Sequence, residues 1–274
     1  MKREPGMKGN RGRLRAVIRV EAAVRQALWQ TMSGRIPLYL VSEYPKSGGT
    51  WFATMLAEYL EVPFPRNRFP PLRPCVMHGH QRWRPSFRNA ICVLRDGRDV
   101  MVSSYFHHVV GNDRVPDSVV ALHRGKLGIE DPDDVGRHLP RYIEYLFSSH
   151  DRASFRLSWA EFVRSWLDRP VGIVRYERLL EDPVEEMSEA IEVALELEPD
   201  RPRIAAIAER HSFRAMARRQ PGVENPLSFL RKGVAGDWRE KFTPEARQVF
   251  DHHAGEELVL AGYEPDRSWA RETA

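Results

Sequence analysis

Apolar residues along this chain form short continuous runs that alternate with stripes at helical spacing. Residues 37–41 make up the first run, and after a polar turn a helical stripe begins at Trp51 and continues to Leu60. Residues 90–94 form the second run and residues 171–176 the third, each followed by a helix signal. Strands that alternate with helices favour a parallel sheet with right-handed crossovers. The pattern therefore predicts an α/β fold with a central parallel sheet flanked by helices.

Capping residues mark helices in the second half of the chain. An amphipathic stripe beginning at Trp159 predicts one helix, Asp182 followed by proline opens another, and Thr243 followed by proline opens the last. Residues 63–74 are rich in proline, and residues 110–140 are rich in glycine, proline and aspartate. We expect these two segments to be loops because such residues break helices and strands.

Length and composition are those of one globular domain. The chain has 274 residues, of which 42% are hydrophobic and 29% charged, enough to bury a full core without a second domain. Two cysteines, Cys75 and Cys92, are too few for a disulfide framework. No apolar stretch approaches the roughly 20 residues of a membrane span. These features predict a cytoplasmic protein.

Positive charge is concentrated at the N-terminus. Residues 1–35 contain nine Lys or Arg against two Glu, whereas the net charge of the whole chain is +4. We therefore divide the chain into a basic arm or helix, residues 1–35, and a domain, residues 36–274. The arm is either a solvated terminus or a weak contact with an anionic membrane surface. A nucleic-acid-binding domain would carry its basic residues through the fold, so no nucleic acid is expected.

The turn between the first strand and the first helix has the composition of an anion-binding loop. Residues 43–51 read Glu-Tyr-Pro-Lys-Ser-Gly-Gly-Thr-Trp. The backbone N–H groups of Gly48, Gly49 and Thr50 are expected to face an anion at the positive end of the helix dipole, and Lys46 adds a full charge. The usual nucleotide-triphosphate loop, G-x-x-x-x-G-K-[ST], is absent from the sequence. The chain is therefore predicted to hold a phosphate in a different way.

Two further segments join this loop in a specific pattern. Residues 95–103 match R-x-x-x-D-x-x-x-S, and residues 231–238 read Arg-Lys-Gly-Val-Ala-Gly-Asp-Trp. With the loop at residues 45–51, the chain resembles the sulfotransferases that use 3'-phosphoadenosine 5'-phosphosulfate (PAPS), whose marks are P-K-S-G-T-T-W, R-x-x-x-D-x-x-x-S and R-K-G-x-x-G-D-W. All three occur in the family's order. The resemblance implies a single P-loop-type α/β domain and transfer of a sulfuryl group to an acceptor hydroxyl or amine.

The resemblance also implies which residues bind the donor. The residues expected at the 5' end are Lys46, Ser47, Gly48, Gly49 and Thr50. Those expected at the 3'-phosphate are Arg95, Ser103, Arg231, Lys232 and Gly233, and those expected at the adenine are Trp51, Tyr176 and Phe213. Arginine suits a phosphate because its fork donates two parallel hydrogen bonds.

Catalysis by this chemistry needs charge stabilisation and a base. Lys46 is expected to stabilise the leaving oxygen, and no metal is required because protein cations cover the donor's anionic groups. The family has a lysine and a histidine in a K-T-H setting, and the matching residues here are His78 and His80. We favour His80 as the general base, with His78 as the alternative. The chain departs from the family pattern at Gly49, which replaces a threonine, and at His78, which replaces the lysine.

Other functions remain open at this stage. A P-loop kinase would share the strand-loop-helix opening, although it needs a lysine after the glycines and Mg²⁺-binding carboxylates. A polyanion-binding protein would account for the basic arm, and a catalytically weak homologue would bind the donor without turnover. The acceptor is a small phenol or alcohol, a saccharide or a lipid headgroup, and the oligomeric state is undetermined.

Overall fold

The computed structural model describes residues 36–66, 73–148 and 157–271, together with positions 20, 24, 27 and 31. Apart from those four positions, the predicted basic arm lies outside the described residues. Within the described part, four strands form one parallel sheet in the order β2-β1-β3-β4. The strands are β1 Leu38–Glu43, β2 Cys75–Gly79, β3 Ala90–Leu94 and β4 Gly172–Arg175. The predicted α/β architecture is confirmed.

Helices cover both faces of this sheet. They are α1 Gly49–Tyr59, α2 Gly97–Tyr105, α3 Asp117–Leu127, α4 Val135–Ser148, α5 Trp159–Trp166, α6 Tyr176–Glu181, α7 Pro183–Leu195, α8 Arg201–Arg210, α9 Phe213–Ala217, α10 Trp238–Lys241 and α11 Pro244–Leu260. A π-helical turn, Phe106–Val110, extends α2, and a 3-10 turn, Arg267–Ala270, follows α11. No helix among the described residues is long and apolar enough to cross a bilayer.

Capping explains where several helices begin. The Asp182 carboxylate accepts the N–H groups of Val184 and Glu185, and the Thr243 hydroxyl accepts that of Ala246. Each cap satisfies backbone donors that have no partner within the helix. Both predicted helix starts are confirmed.

The core consists of two layers because successive side chains on each strand point to opposite faces. Val41 of β1 and Ile91 of β3 pack with α1, α7 and α8, whereas Leu40 and Cys92 pack on the opposite face. That second face includes large aromatic side chains of α4, α5 and α11, namely Tyr142, Trp159, Phe162, Trp166 and Phe250. With both faces covered, the sheet offers a ligand only its ends.

The prediction that residues 110–140 form a loop is wrong. They contain α3 and the beginning of α4. Glycine and proline lie at the ends of these elements: Pro116 precedes α3, and Gly128 ends it with φ of 59°. Pro140 lies inside α4, where an apolar stripe packed on α11 outweighs its missing donor. The stripe is Val135, Leu139, Tyr142, Ile143 and Leu146.

Several further elements have no counterpart in the sequence prediction, β2 and α8 among them. Strand β2, Cys75–Gly79, holds one edge of the sheet, and its His78 pairs in register with Val41 of β1. Helix α8, Arg201–Arg210, packs on α1 and α7. The predicted loop at residues 63–74 lies partly outside the described residues.

Substitution of Gly97 tests how tightly the start of α2 is packed. A Cβ at Gly97 would lie 2.6 Å from Cζ of Phe250 and 2.7 Å from Cδ2 of Trp159. We expect Gly97→Ala to lower the free energy of unfolding by about 1–3 kcal/mol, since a full core cannot take the added methyl group without strain. Urea unfolding monitored by tryptophan fluorescence measures this change.

Gly125→Ala in α3 is the matched control, because a Cβ there meets nothing within 4 Å. It should leave the free energy of unfolding unchanged or raise it by up to about 1 kcal/mol through helix propensity. Equal changes in the two variants would contradict this description of the packing around α2.

Candidate active site

The loop between β1 and α1 is too tight for side chains at its turning point. Gly48 has φ of 92° and caps α1, and a Cβ on it would lie 2.5 Å from Cδ2 of Tyr176. Lys46 also has a positive φ, 77°. The Ser47 hydroxyl is buried and has no hydrogen-bond partner among the described residues. A buried hydroxyl without a partner costs free energy unless a ligand supplies one, so the loop is shaped to receive a polar group.

Lys46, Arg95 and Tyr176 lie together at the carboxyl edge of the sheet. Arg95, which follows β3, donates from Nη1 to the backbone oxygen of Lys46 at 3.1 Å. Its guanidinium lies 4.2 Å from the centre of the Tyr176 ring. This arrangement fixes the loop of β1 against the ends of β3 and β4.

The ammonium group of Lys46 lies in a strongly positive environment. Burial is the largest cause that lowers the pKa of Lys46, to about 8, and the charges of Arg95, Arg114 and Arg231 lower it further, while Glu43 opposes them. Lys46 Nζ lies 4.2 Å from the centre of the Phe229 ring. An anion placed here would compensate several cations at once.

A second group of cations lies on the segment before α10. Arg231 contacts the carboxylates of Glu224 and Asp237, and Lys232 donates to Asp237 at 2.5 Å and to Glu240 at 3.0 Å. Three carboxylates therefore pair with these two cations and hold them in place. Besides the cluster around Lys46, the site contains a second cluster, formed by Arg231, Lys232 and these acids.

Asp99 connects the second cluster to the sheet. Its carboxylate accepts the N–H of Gly236 at 2.7 Å and that of Trp238 at 2.9 Å, and it lies 3.7 Å from Arg95. Sequence reasoning did not place Asp99 among the site residues, although it stands within the R-x-x-x-D segment. Ser103 follows it by one turn on α2 and is half-buried.

The aromatic residues predicted at the adenine lie on the same side of the domain. Trp51 packs edge-on against Tyr176, with ring centres 6.1 Å apart, and donates its indole N–H to the backbone oxygen of His211. Phe213 covers Gly233, where a Cβ would lie only 2.3 Å from the ring. Gly233 also has φ of 66°, a conformation that favours glycine. Both the contact with Phe213 and the backbone conformation therefore require glycine at this position.

Sequence reasoning missed the role of Glu43, the last residue of β1. Its carboxylate is buried, with one oxygen 2.8 Å from His78 Nε2 and the other accepting the Gly49 N–H at 2.6 Å. Its backbone oxygen lies 3.0 Å from His80 Nδ1. The structure therefore differs from the expectation that the Gly49 N–H faces a bound anion, because a carboxylate of the protein already takes that donor. The only signal was an acid beside the loop motif.

The protonation of this cluster follows from its contacts. Burial raises the pKa of Glu43, but the hydrogen bond from His78 and the two histidine charges outweigh burial and lower it overall. His80 is partly exposed to solvent. Burial of its ring among protein atoms, and then the charge of His78, nevertheless lower the pKa of His80, while the charge of Glu43 opposes them. Because a backbone oxygen only accepts, His80 carries its proton on Nδ1. Nε2 is left as a proton acceptor.

Metal binding can be considered for this same cluster. Glu43, His78 and His80 offer donor atoms that all lie within 4.8 Å of one another. Ligand atoms around tetrahedral zinc are roughly 3.3 Å apart, given metal–ligand distances near 2.0–2.1 Å. The cluster would have to contract to hold such an ion, and its short contacts are those of a hydrogen-bonded network. We assign no metal to it.

A wall of the cleft beside Lys46 is formed by His107 and Phe229, whose ring centres are 6.1 Å apart. Burial, and then the charge of Lys46, lowers the pKa of His107 to about 4, so the ring is neutral. His108 points into the core instead, where Nδ1 lies 2.9 Å from the Tyr142 hydroxyl. Of these two histidines, His107 is the one beside the cations.

Known sulfotransferases resemble this chain in sequence. Guinea pig (Cavia porcellus) sulfotransferase 1E1 is 25% identical over 61% of this chain and 54% of its own, and mouse (Mus musculus) sulfotransferase 2A2 is 26% identical over 64% and 58%. The chain thus spans a little over half the length of these relatives. Bovine (Bos taurus) sulfotransferase 1A1 is 23% identical over 80% of this chain and 83% of its own.

Solved structures have the same fold. Mouse sulfotransferase SULT7A1 complexed with PAP (3'-phosphoadenosine 5'-phosphate) superposes with a TM-score of 0.61, at 18% identity, over 91% of this chain and 94% of its own. Retinol dehydratase, in complex with androsterone and PAP, gives 0.54 at 17% identity over 84% and 83%. The family model described as "Sulfotransferase domain" matches residues 80–262, more than half of the chain. The chain therefore belongs to the sulfotransferase domain family.

Proposed function

We propose that this protein transfers a sulfuryl group from PAPS to an acceptor hydroxyl or amine. The observation that carries the proposal is the convergence of basic residues from three segments on the donor loop: Arg95 donates to the backbone oxygen of Lys46, and the charges of Arg95 and Arg231 both lower the pKa of Lys46. A donor with anionic groups at both its 5' and 3' positions needs basic residues from several segments, whereas a nucleoside diphosphate needs fewer. Membership of the sulfotransferase domain family supports the same donor.

The residues of the cleft fit this donor. Ser47 supplies a buried hydroxyl that lacks a partner within the described part of the chain, and Lys46 supplies a charge next to it. Arg95, Ser103, Arg231, Lys232 and Gly233 are proposed at the 3'-phosphate, with Trp51, Tyr176 and Phe213 at the adenine. Gly48, Gly49 and Thr50 complete the loop at the 5' end, although Gly49 contributes through its lack of a side chain because its N–H is already taken.

Two side chains are proposed to act on the reaction itself. PAPS supplies the activated sulfuryl group. Lys46 places a positive charge where the leaving oxygen becomes negative, and preorganised charge of this kind is the main catalytic term in such displacements. His80 accepts the proton of the acceptor on Nε2, the nitrogen that its contact with Glu43 leaves free.

We infer that the acceptor is a small molecule with an apolar body. The wall beside Lys46 offers the Phe229 ring and the uncharged ring of His107, and neither favours an anionic group. The solved neighbour retinol dehydratase binds androsterone, which is such a molecule. A saccharide or a lipid headgroup would be a poorer match to this wall.

Binding of PAP tests the donor assignment. We expect calorimetry to show tight binding of PAP and much weaker binding of ADP, with or without Mg²⁺. Arg231→Ala should weaken PAP binding about 10- to 100-fold, because charged hydrogen bonds to the 3'-phosphate are lost, and leave ADP binding unchanged.

Arg201→Ala is the matched control, since it removes an exposed arginine that pairs with Glu185 away from the cleft. It should leave PAP binding as in the wild type. Preferred binding of ADP in the presence of Mg²⁺ would instead favour a P-loop kinase and overturn the proposal.

The lowered pKa of Lys46 predicts how donor binding depends on pH. Below about 8 the ammonium is charged and binding has its full strength, and above that value each unit of pH costs up to tenfold in affinity because binding must then take up a proton. Phosphate groups with a second pKa near 6 do not titrate in this range.

Calorimetry of PAP binding between pH 7 and 9, in buffers of different ionisation enthalpy, measures both the fall and the proton uptake. Lys46→Arg should remove them, since a guanidinium stays charged throughout. Affinity of the wild type that stays constant across this range would contradict a titrating Lys46 at the donor site.

A further inference from the structure

We propose that Glu43 is a positioning residue for the catalytic base, His80. The backbone oxygen of Glu43 orients the His80 ring, and its carboxylate holds the His78 ring against that of His80. This inference rests on the proposed function, because it assigns His80 as the base of that reaction. It adds a residue outside the recognised donor loop and gives His78 a supporting role.

The first step concerns the position of Glu43 at the start of α1. Its carboxylate accepts the Gly49 N–H at 2.6 Å, at the helix terminus where a negative charge is favoured. A Cβ at position 49 would lie 2.7 Å from Cδ and 2.9 Å from Cγ of Glu43. Glycine at position 49 and glutamate at position 43 are therefore complementary in shape. A threonine in the loop, as in P-K-S-G-T-T-W, cannot coexist with Glu43 in this conformation.

The second step concerns hydrogen-bond roles. An ionised carboxylate only accepts, so His78 must carry a proton on Nε2 to make the 2.8 Å contact with Glu43. The backbone oxygen of Glu43 likewise requires a proton on Nδ1 of His80. Glu43 thus determines which ring nitrogen carries the proton in both histidines, Nε2 in His78 and Nδ1 in His80.

The third step separates the roles of the two histidines. His78 uses Nε2 for Glu43, and its side chain is only 10% exposed. His80 leaves Nε2 free and has an exposed face. The rings lie edge to face with centres 4.9 Å apart, so His78 supports the ring of His80 from one side. His80 is the base, and the Glu43–His78 pair holds its orientation.

Glu43→Gln tests this assignment because an amide has only one accepting oxygen. The Gly49 N–H can only donate and will keep that oxygen, so the amide NH₂ group will face His78. His78 must then accept on Nε2 and move its proton to Nδ1. We expect ¹⁵N NMR of the histidine rings in the full-length protein to report this exchange for His78, with the His80 proton still on Nδ1.

Donor binding and turnover supply a second readout. Glu43→Gln removes a negative charge beside the anion loop, so its dissociation constant for PAP should stay within about threefold of the wild type or decrease. Turnover of any acceptor that the wild type sulfates should fall about 100-fold through misplacement of the base. A merely structural Glu43 would leave the turnover of bound donor and acceptor unchanged in Glu43→Gln.

Glu186→Gln is the matched control, because Glu186 is also a buried carboxylate that accepts a backbone N–H, from Arg175. It should alter neither histidine spectrum. If Glu43→Gln does not fold, Gly49→Ala displaces the same carboxylate with a methyl group and should change the His78 spectrum as well.

An unchanged His78 proton in a folded variant at position 43 or 49 would overturn the inference. Failure of PAP to bind the wild type would instead overturn the proposed function. The histidine spectra do not depend on PAP, so they would still show whether Glu43 sets the protonation of His78.

Discussion

The arrangement of this domain depends on cations that are withdrawn from water at the carboxyl edge of a parallel sheet. Lys46, Arg95 and Arg231 come from three parts of the chain. They lie close enough together for the charges of Arg95 and Arg231 to lower the pKa of Lys46. Such a cluster is unfavourable alone and favourable with an anion between its members. The aromatic packing on one face of the sheet and the tight loop at Gly48 both serve to hold these charges in place.

The protein supplies part of the compensating negative charge itself. Asp99 and Asp237 fix the backbone and cations around the second cluster, and Glu43 sits at the first. Glu43 is unusual among them because it takes a loop donor and two histidines at once. The donor loop and the proton-accepting histidine therefore meet at one residue, so binding and proton transfer share a structural support.

Three strands of the sheet, the loop and the cations could be predicted from sequence because each depends on local pattern. Strand runs, caps and the three motifs need only neighbouring residues. The helices at 117–127 and 135–148 could not, since packing of the first on the π-helical turn and of the second on α11 overrides glycine and proline signals that in isolation indicate a loop. Glu43 was missed for a related reason. An acid before a phosphate loop looks unfavourable until the fold brings His78 and His80 beside it.

The central claim is that this cleft transfers a sulfuryl group. The most direct measurement incubates the protein with PAPS and a panel of small phenols, alcohols and sterols, and follows PAP release together with the mass of each acceptor. We predict PAP in equal amount to an acceptor that has gained one sulfuryl group, with neither formed by His80→Gln. PAP formed without any sulfated acceptor, or equal product from His80→Gln, would contradict it.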